Sequence, residues 1–270
     1  MNEMLIDAGL ILAGFALRTF ELAWFRRIGG LLVIYATYRL GVAWFDSAWA
    51  GALMASMWIL LPALQVLVMA KSFAMPLEKR LRPRNAPSTD EFPELAMLTE
   101  EFESEGFVQT DDVGWDWQDM SQFSRIFYHS DLRVQGAIHL NTQRDMVISY
   151  VVLTTRSKIG GQFCSSNYPM GAGLKFPPNY ILNRFSSARS LSELIESHSA
   201  FIAPRVKDSD ILEPDVDGIV QLAQDESRQQ IDHNLDHGLI RLSGEGQIAY
   251  SWRGCIFIVR QFMIDLFRLS

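Results

Sequence analysis

The chain has 270 residues, 49% hydrophobic and 20% charged, with a formal net charge of −7, a composition that excludes a disordered chain. Residues 1–87 carry nine Lys/Arg against five Asp/Glu, and residues 88–270 carry fifteen against twenty-six. The polar part therefore lacks the basic stripe a nucleic-acid partner requires, and two cysteines, Cys164 and Cys255, exclude a disulfide scaffold or a Cys-rich zinc module.

Three apolar stretches come first. Met4–Phe25 is interrupted by Asp7, Arg18 and Glu21. Its acidic start and the lack of a small-residue cleavage site set it apart from a signal peptide. Gly29–Phe45 is interrupted by Arg39, whereas Ser47–Ala70 has no charge over 24 residues. That is enough to cross a ~30 Å hydrocarbon core, and Pro62 is tolerable in a membrane helix. Arg26-Arg27 lie between the first two stretches, Asp46 between the last two, and Lys71 to Arg84 follow the third. Under the positive-inside rule this alternation predicts three transmembrane helices within residues 1–71, at about 4–25, 29–46 and 47–70, with the N-terminus outside. A hairpin of the last two with the first helix lying at the interface is the alternative. Three spans place Asp7 and Arg39 at similar depth, predicting an intramembrane ion pair, and Arg18 and Glu21 are spaced to pair within one helix.

Residues 72–87 are rich in proline and read as a juxtamembrane linker whose basic cluster, Lys79, Arg80, Arg82 and Arg84, serves as a topology signal or, facing the lipid, holds anionic headgroups. Residues 88–270 carry the pattern of a cytoplasmic α+β domain, an antiparallel sheet covered by helices. Ser88 to Glu94 is a helix-start signature, and Gly106 stops the run that follows. Strand-like runs occupy Gln122–Tyr128, Val134–Leu140, Met146–Thr155 and Gln162–Ser166, joined by short connections that suit a meander. Helices are predicted at Ser190–Phe201 and from about Asp217 to His237, then a hairpin over 239–252 with Glu245 at its tip. The closing run Cys255–Leu269 is too short and too charged to span. It reads as a core helix on the sheet, or else as a helix returning to the membrane face or a partner.

Motifs that carry chemistry are sparse. The chain lacks G-x-x-x-x-G-K-[ST], H-E-x-x-H, C-x-x-C and G-x-S-x-G. Glu213, Asp215 and Asp217 before Gly218 resemble the first half of a calcium loop, but Gln224 stands where a bidentate Glu belongs and Pro214 takes the second position, so the cluster reads first as an acidic helix start. His233 and His237, four apart on a helix, could share a metal given a third ligand; late-helix histidines also suit the negative helix end. Cys164 has no basic neighbour in sequence and reads as a buried structural thiol.

The expectation is a multi-pass protein of the plasma (inner) membrane with no cofactor. Its C-terminal domain serves as a non-catalytic interaction or accessory module for a protein partner or a second copy, beside the bilayer itself. The alternatives are a membrane-anchored enzyme, metal-dependent through His233 and His237, or a sensor domain for a small ligand or lipid.

Overall fold

The computed structural model describes residues 2–20, 22–143, 146–213, 218–244 and 246–269. The chain divides into two compact units, Met1–Phe73 with Tyr250–Ser270, and Ala74–Ala249.

The first unit opens with α1 (Asn2–Arg18), α2 (Ala23–Phe45) and α3 (Ala48–Ser72), with α1 packed on α2 and α2 on α3. Two of these helices, over Trp24–Phe45 and Ala48–Ser72, are long and apolar enough to cross a membrane. Helix α1 has 17 residues, ~25 Å at the helical rise per residue and short of a full hydrocarbon core. The first helix thus stops at Arg18, not near Phe25, and α2 takes Arg26-Arg27 into its first turns instead of leaving them between helices. At the break, Thr19 Oγ1 donates to the Ala16 carbonyl at 2.8 Å, a side-chain bond that competes with helix continuation. Pro62 sits inside α3 without ending it.

The helices meet through glycine. A Cβ added at Gly14 would lie 2.8 Å from the Gly29 carbonyl oxygen, and one at Gly41 would lie 2.7 Å from Gly51 Cα. Close approach over small residues is the packing membrane helices use, where water supplies no hydrophobic drive. Trp58 Nε1 donates to Thr37 Oγ1 across α2 and α3 at 2.9 Å. Leu12, Leu31, Leu53, Leu61, Leu64 and Val68 meanwhile face outward.

The second unit starts inside the expected linker, which is not free: Ala74–Pro76 forms β1 and Arg82–Pro83 forms β2. Ser88 and Glu91 exchange side chain–backbone hydrogen bonds of 3.3 Å each, the reciprocal capping box. Pro93 disfavours a helical residue before it, and α4 (Leu95–Ser104) begins only after it, ending at Gly106 with φ +86°. Then follow β3 (Val108–Trp117), β4 (Met120–His129), β5 (Val134–Gln143), β6 (Met146–Arg156), β7 (Gln162–Ser166) and β8 (Tyr180–Arg184). The remaining elements are α5 (Leu191–Ile202), α6 (Ile219–Asp236), β9 (Ile240–Leu242), β10 (Gln247–Tyr250) and α7 (Trp252–Leu269). The fold is mixed α+β.

Strands β2 to β8 form one seven-stranded sheet in chain order, and β1, β10 and β9 a small second one. The large sheet is antiparallel up to β7, but β8 joins β7 in parallel. The four expected strands, β4 to β7, do form an antiparallel meander; β8 lies beyond them, and the chain between Ser166 and Tyr180 is long enough to cross over. Strand alternation gives the sheet two unlike faces. Phe123 and Phe127 on β4, Ile138 and Leu140 on β5, and Val151 and Leu153 on β6 form the main core with Phe102 of α4 and Leu194 of α5. Phe102 stacks on Phe127 at 4.3 Å between ring centroids, and its ring fills the space where Gly136 has no side chain.

Helix α7 departs from the reading as a sheet cover: it packs along α3 within the first unit. Lys71 Nζ lies 4.5 Å from the Trp252 ring centroid, and Phe73 stacks on Tyr250. The fully buried Cys255 marks the packed side of α7, while Ile256 stays exposed.

Candidate functional site

The face of the sheet opposite the main core is largely polar. Val113, Ile126 and Tyr128 cluster there with Ile219 at the start of α6, and Leu81 and Val220 pack against them. Beside them, alternation brings Gln122 and Ser124 of β4, His139 and Asn141 of β5, and Tyr150 of β6 onto one surface. Ser124 Oγ lies 2.7 Å from His139 Nδ1, and Gln122 Nε2 lies 3.1 Å from the same nitrogen. Asn141 Nδ2 donates to the Tyr150 hydroxyl at 3.4 Å, while its Oδ1 is buried without a partner.

Lys79 enters this network. Its Nζ donates to Gln122 Oε1 at 2.5 Å and lies 4.9 Å from the Trp115 ring centroid, with Trp115 Nε1 donating to the same Oε1 at 2.7 Å. Burial without a carboxylate partner pushes the ammonium pKa down to about 8. Burial, then the Lys79 charge, lowers His139 to about 3, so its ring is neutral. Burial raises Tyr150 to about 12. Lys79, expected among four lipid-facing cations, has its ammonium engaged by Gln122 of β4 on the polar face of the sheet.

The other three cations behave differently. Arg80 Nη2 pairs with Glu78 at 2.7 Å. Arg84 Nη1 donates to Asp116 and to Ser121, each at 2.9 Å. Arg82 is exposed, and its guanidinium makes no hydrogen bond or ion pair to another described residue. Together with Trp115 and Trp117 they line a cleft of about 470 Å³. Gly114 forms part of its wall, where a Cβ would meet Arg84 Cδ at 2.5 Å.

Farther along the polar face, Arg156 forks onto Glu226 of α6 at 2.5 and 2.9 Å, and Gln162 also donates to Glu226 at 2.9 Å. Cys164 is buried beside Thr154, 3.3 Å from its Oγ1, and burial pushes its thiol up to about 11, away from thiolate chemistry. On the core face, His198 is held between Thr155 Oγ1 at 2.9 Å and Ser165 Oγ at 2.8 Å, and burial lowers it to about 4.

The remaining expected site residues fall as follows. Asp7 Oδ1 and Arg39 Nε come together at 3.2 Å. No aligned hydrogen bond reaches that oxygen, so the contact is an ion pair by distance alone. Glu21, expected opposite Arg18, lies outside the described residues, as do Asp215 and Asp217 of the acidic cluster and Glu245 of the hairpin tip; Glu213 precedes them. His233 and His237 do converge, with ring centroids 4.1 Å apart, but His237 Nδ1 lies 2.7 Å from the His233 carbonyl. Desolvation, then His237 and Lys175, lower the His233 pKa. Among the described residues no group of three His, Cys, Asp or Glu side chains gathers to hold a metal.

The basic cluster stands out in the sequence, but the bond from Lys79 to Gln122 and the cleft shared by the three arginines do not. The available signal was Gln122, Ser124, His139 and Asn141 recurring at every second position, which in isolation reads as a solvent face. Comparison of the chain with protein-family models, with curated proteins and with solved structures finds no match.

Proposed function

We propose that this chain is a multi-pass membrane protein whose N-terminal helices hold the Ala74–Ala249 unit at the cytoplasmic side as a non-catalytic interaction module. The observation that carries the reading is the inverted packing of α1 to α3. Glycines and the Asp7–Arg39 pair lie between helices while large apolar side chains face outward, which costs free energy in water and is favourable in lipid. Arg26-Arg27 and the basic run after α3 set the orientation, with Asp46 outside. The non-catalytic part is supported by how the reactive side chains are engaged: His139 and His198 are tied to hydroxyls, and the Cys164 thiol is protonated.

Single-cysteine labelling of the full chain in intact cells tests the membrane part. A membrane-impermeant maleimide should modify Asp46→Cys and spare Ile159→Cys until the cells are opened. Ile159 is 92% exposed, whereas the native cysteines are both buried and stay silent. Labelling of Ile159→Cys from outside would reverse the orientation. Purification in detergent should then retain a stoichiometric protein partner or a second copy; a solitary monomer that turns over a substrate would move the reading to an enzyme.

A further inference from the structure

We propose that the cleft of Arg80, Arg82, Arg84, Trp115 and Trp117 is a binding site for a phosphate-bearing anion, held by the guanidiniums with its organic part against the indoles. The cleft's volume, about 470 Å³, is that of a small-molecule site. The Ala74–Ala249 unit has sixteen Lys/Arg against twenty-six Asp/Glu, a net charge of −10, yet three of its arginines line this one hollow against two carboxylates, Glu78 and Asp116. Those carboxylates orient two of the guanidiniums: Glu78 holds Arg80 from the strap between β1 and β2, and Asp116 with Ser121 holds Arg84 from beside β2. Glu78 is shared with Arg228 of α6 at 3.4 Å, which offsets its charge further.

Arg82 is the group left with its donors unused. A guanidinium fork matches the oxygens of a phosphate bidentately. A phosphate monoester offers three terminal acceptor oxygens against the two of a carboxylate, and a diester adds its ester oxygens, so either can engage more than one arginine at once. Trp115 and Trp117 are fixed by their own hydrogen bonds, to Gln122 Oε1 at 2.7 Å and to the Ala74 carbonyl at 3.1 Å, and need no reordering on binding. Gly114 keeps the wall open, since a side chain there would displace Arg84.

The same phosphate chemistry occurs in lipid headgroups and in soluble esters, and two arms separate them. In the soluble arm, the full chain in phosphatidylcholine nanodiscs is titrated calorimetrically with glycerol 3-phosphate. In the lipid arm, native mass spectrometry counts phosphatidylglycerol retained by the full chain released from nanodiscs that contain it. One-to-one binding is expected in at least one arm, weakened at least tenfold, or the retained lipid lost, by Arg82→Ala and by Arg80→Ala. Arg241→Ala, an exposed arginine outside the cleft, should bind as the parent does. Binding of glycerol 3-phosphate assigns a soluble ester, and retention of phosphatidylglycerol alone assigns a headgroup. No saturable binding in either arm, unchanged binding by Arg82→Ala, or binding of a hexaglutamate peptide in place of both phosphates would overturn the proposal. The soluble arm does not depend on the membrane reading, so the two can fail separately.

Discussion

Removing Arg39 should destabilise the helical unit far more than removing the Asp7–Arg39 pair altogether. The Asp7 side chain is 2% exposed and that of Arg39 32%, with 3.2 Å between Oδ1 and Nε. At that separation the attraction is about 5 kcal/mol for an effective dielectric constant of ~20. The exposure of Arg39 and the missing aligned hydrogen bond place the net effect lower. Arg39→Leu strands a buried carboxylate and should cost about 3 kcal/mol, the lower end for a broken buried pair. Asp7→Leu frees a guanidinium whose long stem lets it move outward, and should cost only about 1 kcal/mol. Asp7→Leu with Arg39→Leu should return to within about 1 kcal/mol of the parent, because a well-packed apolar pair replaces both charges. The assay is SDS titration of the detergent-solubilised full chain, read as the separation of labels on Leu12→Cys and Leu31→Cys, both exposed on neighbouring helices. Parent-like stability of Arg39→Leu, or a double variant as unstable as the sum of the singles, would show that the charges do not couple and refute the reasoning.

Three further outcomes are expected of the Ala74–Ala249 unit. Lys79 has a folded-state pKa of about 8 against an ordinary 10.5, so between these values the unfolded chain holds the proton more tightly and stability rises with pH, by at most about 3 kcal/mol. Lys79→Met should therefore raise the melting temperature at pH 7 and lose that advantage above pH 10; a lowered melting temperature would mean that the bond to Gln122 outweighs burial. His139 and His198 stay neutral to about 3 and about 4 against an ordinary 6.5, so the unfolded chain takes up protons first as pH falls. Denaturant midpoints should drop between pH 6.5 and 4, and a flat profile would contradict their burial. Gly136→Ala drives a Cβ into the fully buried Phe102 ring and should cost about 1–3 kcal/mol by overpacking, read as a lower denaturant midpoint; a neutral result would mean that Phe102 can shift off Phe127.

Local pattern alone determined much of this protein. An uncharged run such as Ser47–Ala70 has few places to go but a membrane or a large core, and α3 occupies Ala48–Ser72. Strands β4 to β7 and helices α5 and α6 lie within a few residues of where alternation, caps and glycines put them, because those signals act over one or two turns of chain. Strand β3 was not legible: Asp111, Asp112 and Asp116 mask it, and it exists because β4 pairs along its length and Arg125 closes on Asp112 at 2.7 Å. Strand β8 depends in the same way on β7. Only tertiary structure decided where amphipathic and charged side chains went. The run Cys255–Leu269 could cover a sheet or a helix equally well by composition, and α3 supplied the surface it packs on. Lys79 and Arg82 are three residues apart on the same basic run, yet one is half-buried against Gln122 and the other exposed at a cleft, because the partners that separate them come from strands 30 or more residues downstream.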